Sequence, residues 1–119
     1  MMARAFVVAL ALGMGVSTPA LAEFSVVSSR ADFERLIEGR ELRRFGIRLT
    51  VSPEGEIVGR AFGGEVTGDW TWNDGYFCRD LFYGGDDLGY NCQMVQVRGD
   101  TIRFTTDRGE GIYADLRME

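Results

Sequence analysis

The sequence predicts a mainly β fold: an antiparallel meander of six or seven strands closed as a curled sheet or small barrel, with one short N-terminal helix and one disulfide. Three observations carry this. Between Val66 and Thr106, three glycine-containing turns set apolar residues opposite apolar residues. The two cysteines, Cys78 and Cys92, are equidistant from Gly85, so paired strands place them face to face. Apolar residues recur at period two in the strands on either side of that stretch.

Taken in order, the chain begins with the short positive segment Met1-Met2-Ala3-Arg4, an apolar run over residues 5–16, and Ala20-Leu21-Ala22 with small residues suited to cleavage. That pattern predicts a secretory signal peptide over residues 1–22. Its apolar run falls short of the roughly 18 residues a spanning helix needs. Residues 23–119 then form a single disulfide-linked β domain, 97 of the 119 residues. The predicted localisation is periplasmic or secreted, where a disulfide persists. Net charge moves from −5 to −6 when Arg4 leaves, and an acidic body argues against nucleic acid and, after cleavage, against a membrane as partner. All 13 basic residues are arginine, a bias that codon usage explains.

Ser29 is placed to cap a helix of about ten residues that carries Phe33, Leu36 and Ile37 on one face and stops at Gly39. Arg40 to Arg44 reads as a basic connector, solvated beside Glu34, Glu38 and Glu41. From Phe45 the period becomes two. Ser52-Pro53-Glu54-Gly55 is a turn that pairs Val51 with Ile57, Leu49 with Gly59 and Ile47 with Ala61. A hairpin centred on Asn73-Asp74-Gly75 puts Trp72 opposite Tyr76, Trp70 opposite Cys78 and Asp69 opposite Arg79, the last as an ion pair. The Gly84-Gly85-Asp86 turn sets Phe82 against Leu88 and Cys78 against Cys92, and the Gly99-Asp100 turn sets Val97 against Ile102. Ile112, Ala114, Leu116 and Met118 alternate as a final strand.

These registers assign Trp70, Trp72, Tyr76, Cys78, Cys92 and Met94 to one face, and Phe77, Leu81, Val95, Val97, Ile102 and Phe104 to the other. Both faces are apolar, which a one-sided sheet does not tolerate. Three resolutions are open: a bulge near Gln93, a helix covering the second face, or an aromatic ligand pocket.

Histidine is absent, which removes the usual general base and zinc ligand. With both cysteines assigned to a disulfide, no catalytic residue, metal site or cofactor is predicted. Asp80, Asp86 and Asp87 are the carboxylates on which a small hydrolase would rest, although paired aspartates in a glycine-rich turn are ordinary turn residues. A calcium loop over residues 84–89 lacks the known ligand spacing.

The run Gly68-Asp69-Trp70-Thr71-Trp72-Asn73-Asp74-Gly75-Tyr76-Phe77-Cys78-Arg79, followed by Asn91-Cys92-Gln93 and Arg103-Phe104-Thr105, resembles a set of small exported proteins of uncharacterised function from Gram-negative bacteria. The resemblance spans about Leu42 to Leu116. Some of those proteins carry the name dihydrodipicolinate reductase. That activity requires a nicotinamide cofactor on a Rossmann domain, for which this chain has neither motif nor length, and it is not carried over.

The functional expectation is a non-catalytic exported module that binds a small apolar ligand or a protein partner through Trp70, Trp72 and Tyr76, whose rings offer large contact area at low entropic cost. The competing expectation is that the same rings fill the core.

Overall fold

The computed structural model describes residues 23–119; the signal peptide expected at residues 1–22 lies outside them. Ten strands, β1 (Ser25–Val27), β2 (Leu42–Arg44), β3 (Ile47–Val51), β4 (Glu56–Ala61), β5 (Gly64–Asn73), β6 (Tyr76–Tyr83), β7 (Asp86–Asp87), β8 (Asn91–Arg98), β9 (Thr101–Thr105) and β10 (Tyr113–Met118), accompany two helices, α1 (Arg30–Ile37) and the single turn α2 (Thr106–Gly109). Every pairing is antiparallel, and the order β8-β9-β10-β2-β3-β4-β5-β6 returns to β8, closing an eight-stranded barrel. Closure leaves few free edges. At the seam β8 pairs with β6 through residues 91–93 and with β1 through residues 95–97, while β7 extends the free part of β6.

Strand formation follows the alternation seen in the sequence. In β3, Ile47, Leu49 and Val51 turn inward while Arg48 and Thr50 are exposed, and the predicted pairs Val51–Ile57, Leu49–Gly59 and Ile47–Ala61 all form. Gly59 has no room for a side chain, since a Cβ there would lie 2.0 Å from the Arg48 carbonyl oxygen. The pairs Val97–Ile102 and Val95–Phe104 also form as predicted.

Helix α1 begins where Ser29 Oγ accepts a hydrogen bond from the Asp32 amide at 3.1 Å and ends before Gly39, whose φ is +72°. It runs eight residues and closes one end of the barrel. Phe33, with 0 % exposure, enters the barrel and meets Trp70, Trp72 and Phe77 at ring-centroid distances of 5.1 to 5.2 Å, and Phe104 at 6.3 Å. Ile37 is buried beside it.

Several registers correct the sequence reading. The β5–β6 hairpin has a two-residue turn, Asp74-Gly75, with φ of 55° and 85°, as the right-handed strand twist favours. Trp72 therefore faces Phe77, Trp70 faces Arg79, and Asp69 faces Asp80. The expected Asp69–Arg79 ion pair does not form. After the Gly84-Gly85 turn, Phe82 faces Asp87 rather than Leu88. An extra residue in the 88–90 segment then restores Cys78 opposite Cys92, and their disulfide forms. The basic connector is in part a strand, β2, and β1 was not anticipated.

The slip at Asp74-Gly75 also dissolves the puzzle of two apolar faces. Trp70, Trp72, Phe77, Val95, Ile102 and Phe104 all belong to one core, the barrel interior. Tyr76, Cys78 and Cys92 alternate outward from it.

Candidate functional site

Hairpins at residues 52–55, 74–75 and 99–100 lie at the helix end of the barrel; those at 45–46, 62–63, 84–85 and the loop 106–112 lie at the opposite end. Toward that second end the interior is not filled. A cavity of about 240 Å³ is walled by Leu49, Val51, Ile57, Phe77, Phe104 and Leu116, with Leu81, Thr106 and Ile112 nearer its mouth. It exceeds the roughly 150 Å³ of an apolar cavity able to take up benzene.

Two polar side chains converge on this apolar wall, Arg79 from β6 and Gln93 from β8. Both are consequences of alternation. Arg79 lies between Phe77 and Leu81 on the inward side of β6, and Gln93 is the cross-strand partner of Phe77. Arg79 donates from Nη1 to the Gly89 carbonyl at 2.7 Å and forms no ion pair among the described residues. Burial pulls its guanidinium below the ordinary arginine value, with Asp80 opposing that shift. Four of the five guanidinium N–H groups remain beyond the Gly89 bond. Gln93 is 8 % exposed, and its carboxamide makes no side-chain hydrogen bond with the described residues. Arg79 is half-buried and its bond to Gly89 is exposed, so a cation and an amide with spare hydrogen-bonding capacity stand at the edge of an apolar wall, where they can meet an incoming acceptor.

The mouth is shaped by α2 (Thr106–Gly109), a single turn in which Asp107 and Arg108 adopt left-handed angles, φ 55° and 56°. Non-glycine residues in that region need compensation. Asn91 supplies it: its Nδ2 donates to Asp107 Oδ1 at 2.8 Å, and its Oδ1 accepts from the Asp107 amide at 2.9 Å. The seam strand and the mouth loop are thus tied together beside the disulfide.

The residues singled out in the sequence do not gather into one surface. Trp70 is a core residue whose Nε1 donates to the Ser52 carbonyl at 2.9 Å. Trp72 stacks on Phe33 at the helix end, and its Nε1 is buried with no hydrogen-bond partner. Tyr76 points outward, with the Arg108 guanidinium 5.3 Å from its ring centre. Asp80 faces Asp69 on the outer side of the sheet, and Asp86 and Asp87 are exposed in β7. Asp87 Oδ1 accepts from the Gly89 amide, an ordinary turn contact. Among the described residues no group of three acidic or thiol side chains is close enough to hold a metal ion, and no helix is long and apolar enough to cross a membrane.

Arg79 escaped sequence reasoning because the mistaken hairpin register gave it Asp69 as an ion-pair partner, although it left Arg79 on the face of Phe77 and Leu81. The signal was present in Phe77-x-Arg79-x-Leu81, an arginine on the apolar parity of its own strand.

No protein-family model matches the chain, and comparison with curated proteins and with solved structures gives no match either. The chemistry of the site therefore rests on its own geometry.

Proposed function

We propose that this protein is a non-catalytic carrier or sensor of a small amphiphile, an apolar body lodged in the barrel with an anionic head on Arg79 and Gln93. The observation that carries this reading is the convergence of those two side chains on a mainly apolar cavity. Ligand sites of this kind combine apolar walls with a few placed polar groups, and a guanidinium pairs with a carboxylate through two parallel hydrogen bonds. The disulfide supports placing the protein outside the cytoplasm, which accords with export to the periplasm or beyond.

The aromatic trio Trp70, Trp72 and Tyr76 is not the surface proposed, because two of its members pack against Phe33 and the third faces away. A carboxylate hydrolase built on Asp80, Asp86 and Asp87 is not carried forward, since none of the three lines the cavity.

A displacement titration tests the reading. A fluorescent medium-chain fatty acid is bound to the oxidised protein and displaced by unlabelled acid or by the alcohol of equal chain length. The acid should displace the probe at least about tenfold more effectively than the alcohol, the difference expected of a charge-assisted hydrogen bond. Arg79→Met should erase that preference while retaining alcohol binding. Absence of probe binding, or an unchanged preference in Arg79→Met, contradicts the proposal.

A further inference from the structure

Across the outside of the barrel, Arg98, Thr101, Arg117, Arg43, Arg48 and Arg60 are successive cross-strand partners on β8, β9, β10, β2, β3 and β4. Like charges directly opposite one another oppose strand pairing, and neighbouring strands are only about 4.8 Å apart. This row belongs to a chain with net charge −5. Toward the helix end its charge is answered, since Arg43 pairs with Glu41 at 2.8 Å and Arg117 with Glu119 at 2.7 Å. Toward the open end it is not. Arg44, Arg48 and Arg60 form no ion pair among the described residues, although Glu65 stands opposite Arg60 at the end of the row. Together with Arg43 they line a surface hollow to which no acidic residue contributes.

Beside that hollow stand two exposed phenylalanines. Phe45 is 92 % and Phe62 69 % exposed, one at the β2–β3 turn and the other at the β4–β5 turn, with ring centres 6.4 Å apart. The tips are joined by a hydrogen bond from the Phe62 amide to the Gly46 carbonyl at 2.7 Å. Phe62 has a φ of 50° and Gly63 one of 84°, in a turn whose favoured residues are Asn-Gly. A bulky ring is held at a backbone position that disfavours it, and it is displayed to solvent rather than buried.

We propose that this end of the barrel docks on the surface of an anionic phospholipid bilayer, with Phe45 and Phe62 entering the interfacial region and Arg44, Arg48 and Arg60 pairing with lipid phosphates. A soluble polyanion would need the arginines alone and leaves the paired aromatic tips without a role; an interface of lipid phosphates over acyl chains uses both. The acidic net charge does not oppose this, because at physiological salt charges act over only about 8 Å and the acidic side chains do not line the hollow. The docking surface and the interior cavity are separate sites, and either can be lost without the other.

Co-sedimentation of the oxidised protein with vesicles of phosphatidylcholine, with and without phosphatidylglycerol, tests the proposal. Binding is expected to the mixed vesicles and not to phosphatidylcholine alone, weakening as salt rises. Each arginine near an anionic bilayer strengthens binding about fivefold, so Arg48→Gln with Arg60→Gln should weaken it about 25-fold. Phe45→Ser with Phe62→Gly should weaken it about tenfold or more. Both variants are expected to melt no lower than wild type, because one relieves like-charge repulsion and the other places glycine at a positive φ. Ala114→Phe, which fills the cavity, should leave vesicle binding intact. The proposal is overturned by failure to bind mixed vesicles at low salt, or by unchanged binding in either double variant. Tight capture on immobilised heparin that ignores Phe45 and Phe62, without vesicle binding, also overturns it by identifying a soluble polyanion as the occupant.

Discussion

Cys78 stands directly opposite Cys92 in the three-residue pairing of β6 with β8, the pairing that converts an open sheet into a closed barrel. The disulfide staples that three-residue pairing, and Arg79 and Gln93, which line the cavity, are the neighbours of Cys78 and Cys92 in it. Closure of the barrel and assembly of the candidate site are therefore one event.

Replacing both cysteines by alanine should lower stability by about 3 kcal/mol, the chain-entropy value for a loop of roughly 15 residues. Urea unfolding of oxidised wild type and of the double variant measures this. The variant should also lose probe binding before it loses its strand signal in circular dichroism, because the seam carries the two polar groups.

Phe33→Ala should cost about 3 to 5 kcal/mol, as expected for removing a buried aromatic ring. The ring touches Trp70, Trp72, Phe77 and Phe104, so its loss opens the helix end of the barrel. Denaturant midpoints, together with a rise in quenching of tryptophan fluorescence by acrylamide, report the effect.

Arg103 binds Asp115 through two hydrogen bonds of 2.7 and 3.0 Å across β9 and β10, and this contact holds the Asp115 carboxyl below its ordinary value. A carboxyl depressed in the folded state stabilises at pH above its unfolded value, about 3.9, and that contribution disappears as pH falls through the lower folded value. The stability difference between wild type and Asp115→Asn should accordingly be constant from neutral pH to about pH 5 and shrink below about pH 4. A difference that grows on acidification contradicts the assignment.

Asn91→Ala removes both bonds that hold Asp107 in its left-handed conformation. The expected loss is about 1 to 2 kcal/mol, with hydrogen exchange accelerated over residues 106–112 and little changed in β3 and β4. Uniform acceleration across the barrel would show that the loop is not a separate mobile unit.

Much of this architecture was legible in the chain because strand alternation and turn chemistry are local. Ser29 marks the helix start, Pro53 and Gly55 mark a turn, and the two cysteines fix a long-range register from their spacing to Gly85. The error lay in a single residue. Treating Asn73, Asp74 and Gly75 all as loop moved every partner of β5 by one, sent Trp70 and Trp72 to the face away from Phe77 and gave Arg79 the wrong partner in Asp69, since a one-residue slip exchanges the two faces of a strand. The cavity itself was beyond reach of local pattern, as its walls come from strands joined only when β6 meets β8. The arginine row was equally hidden. Arg43, Arg48, Arg60 and Arg117 are scattered in sequence and align only across four paired strands, so composition recorded an acidic protein while the fold assembled a basic patch.

Intermolecular nuclear Overhauser contacts between the oxidised protein and a medium-chain fatty acid test the central claim most directly. The account predicts contacts from the acyl methylenes to Phe77, Phe104 and Leu116, and a shift of the Arg79 guanidinium resonance that is absent with the matching alcohol. Acyl contacts confined to Phe45, Phe62 or Trp72, or no contacts at all, would contradict it.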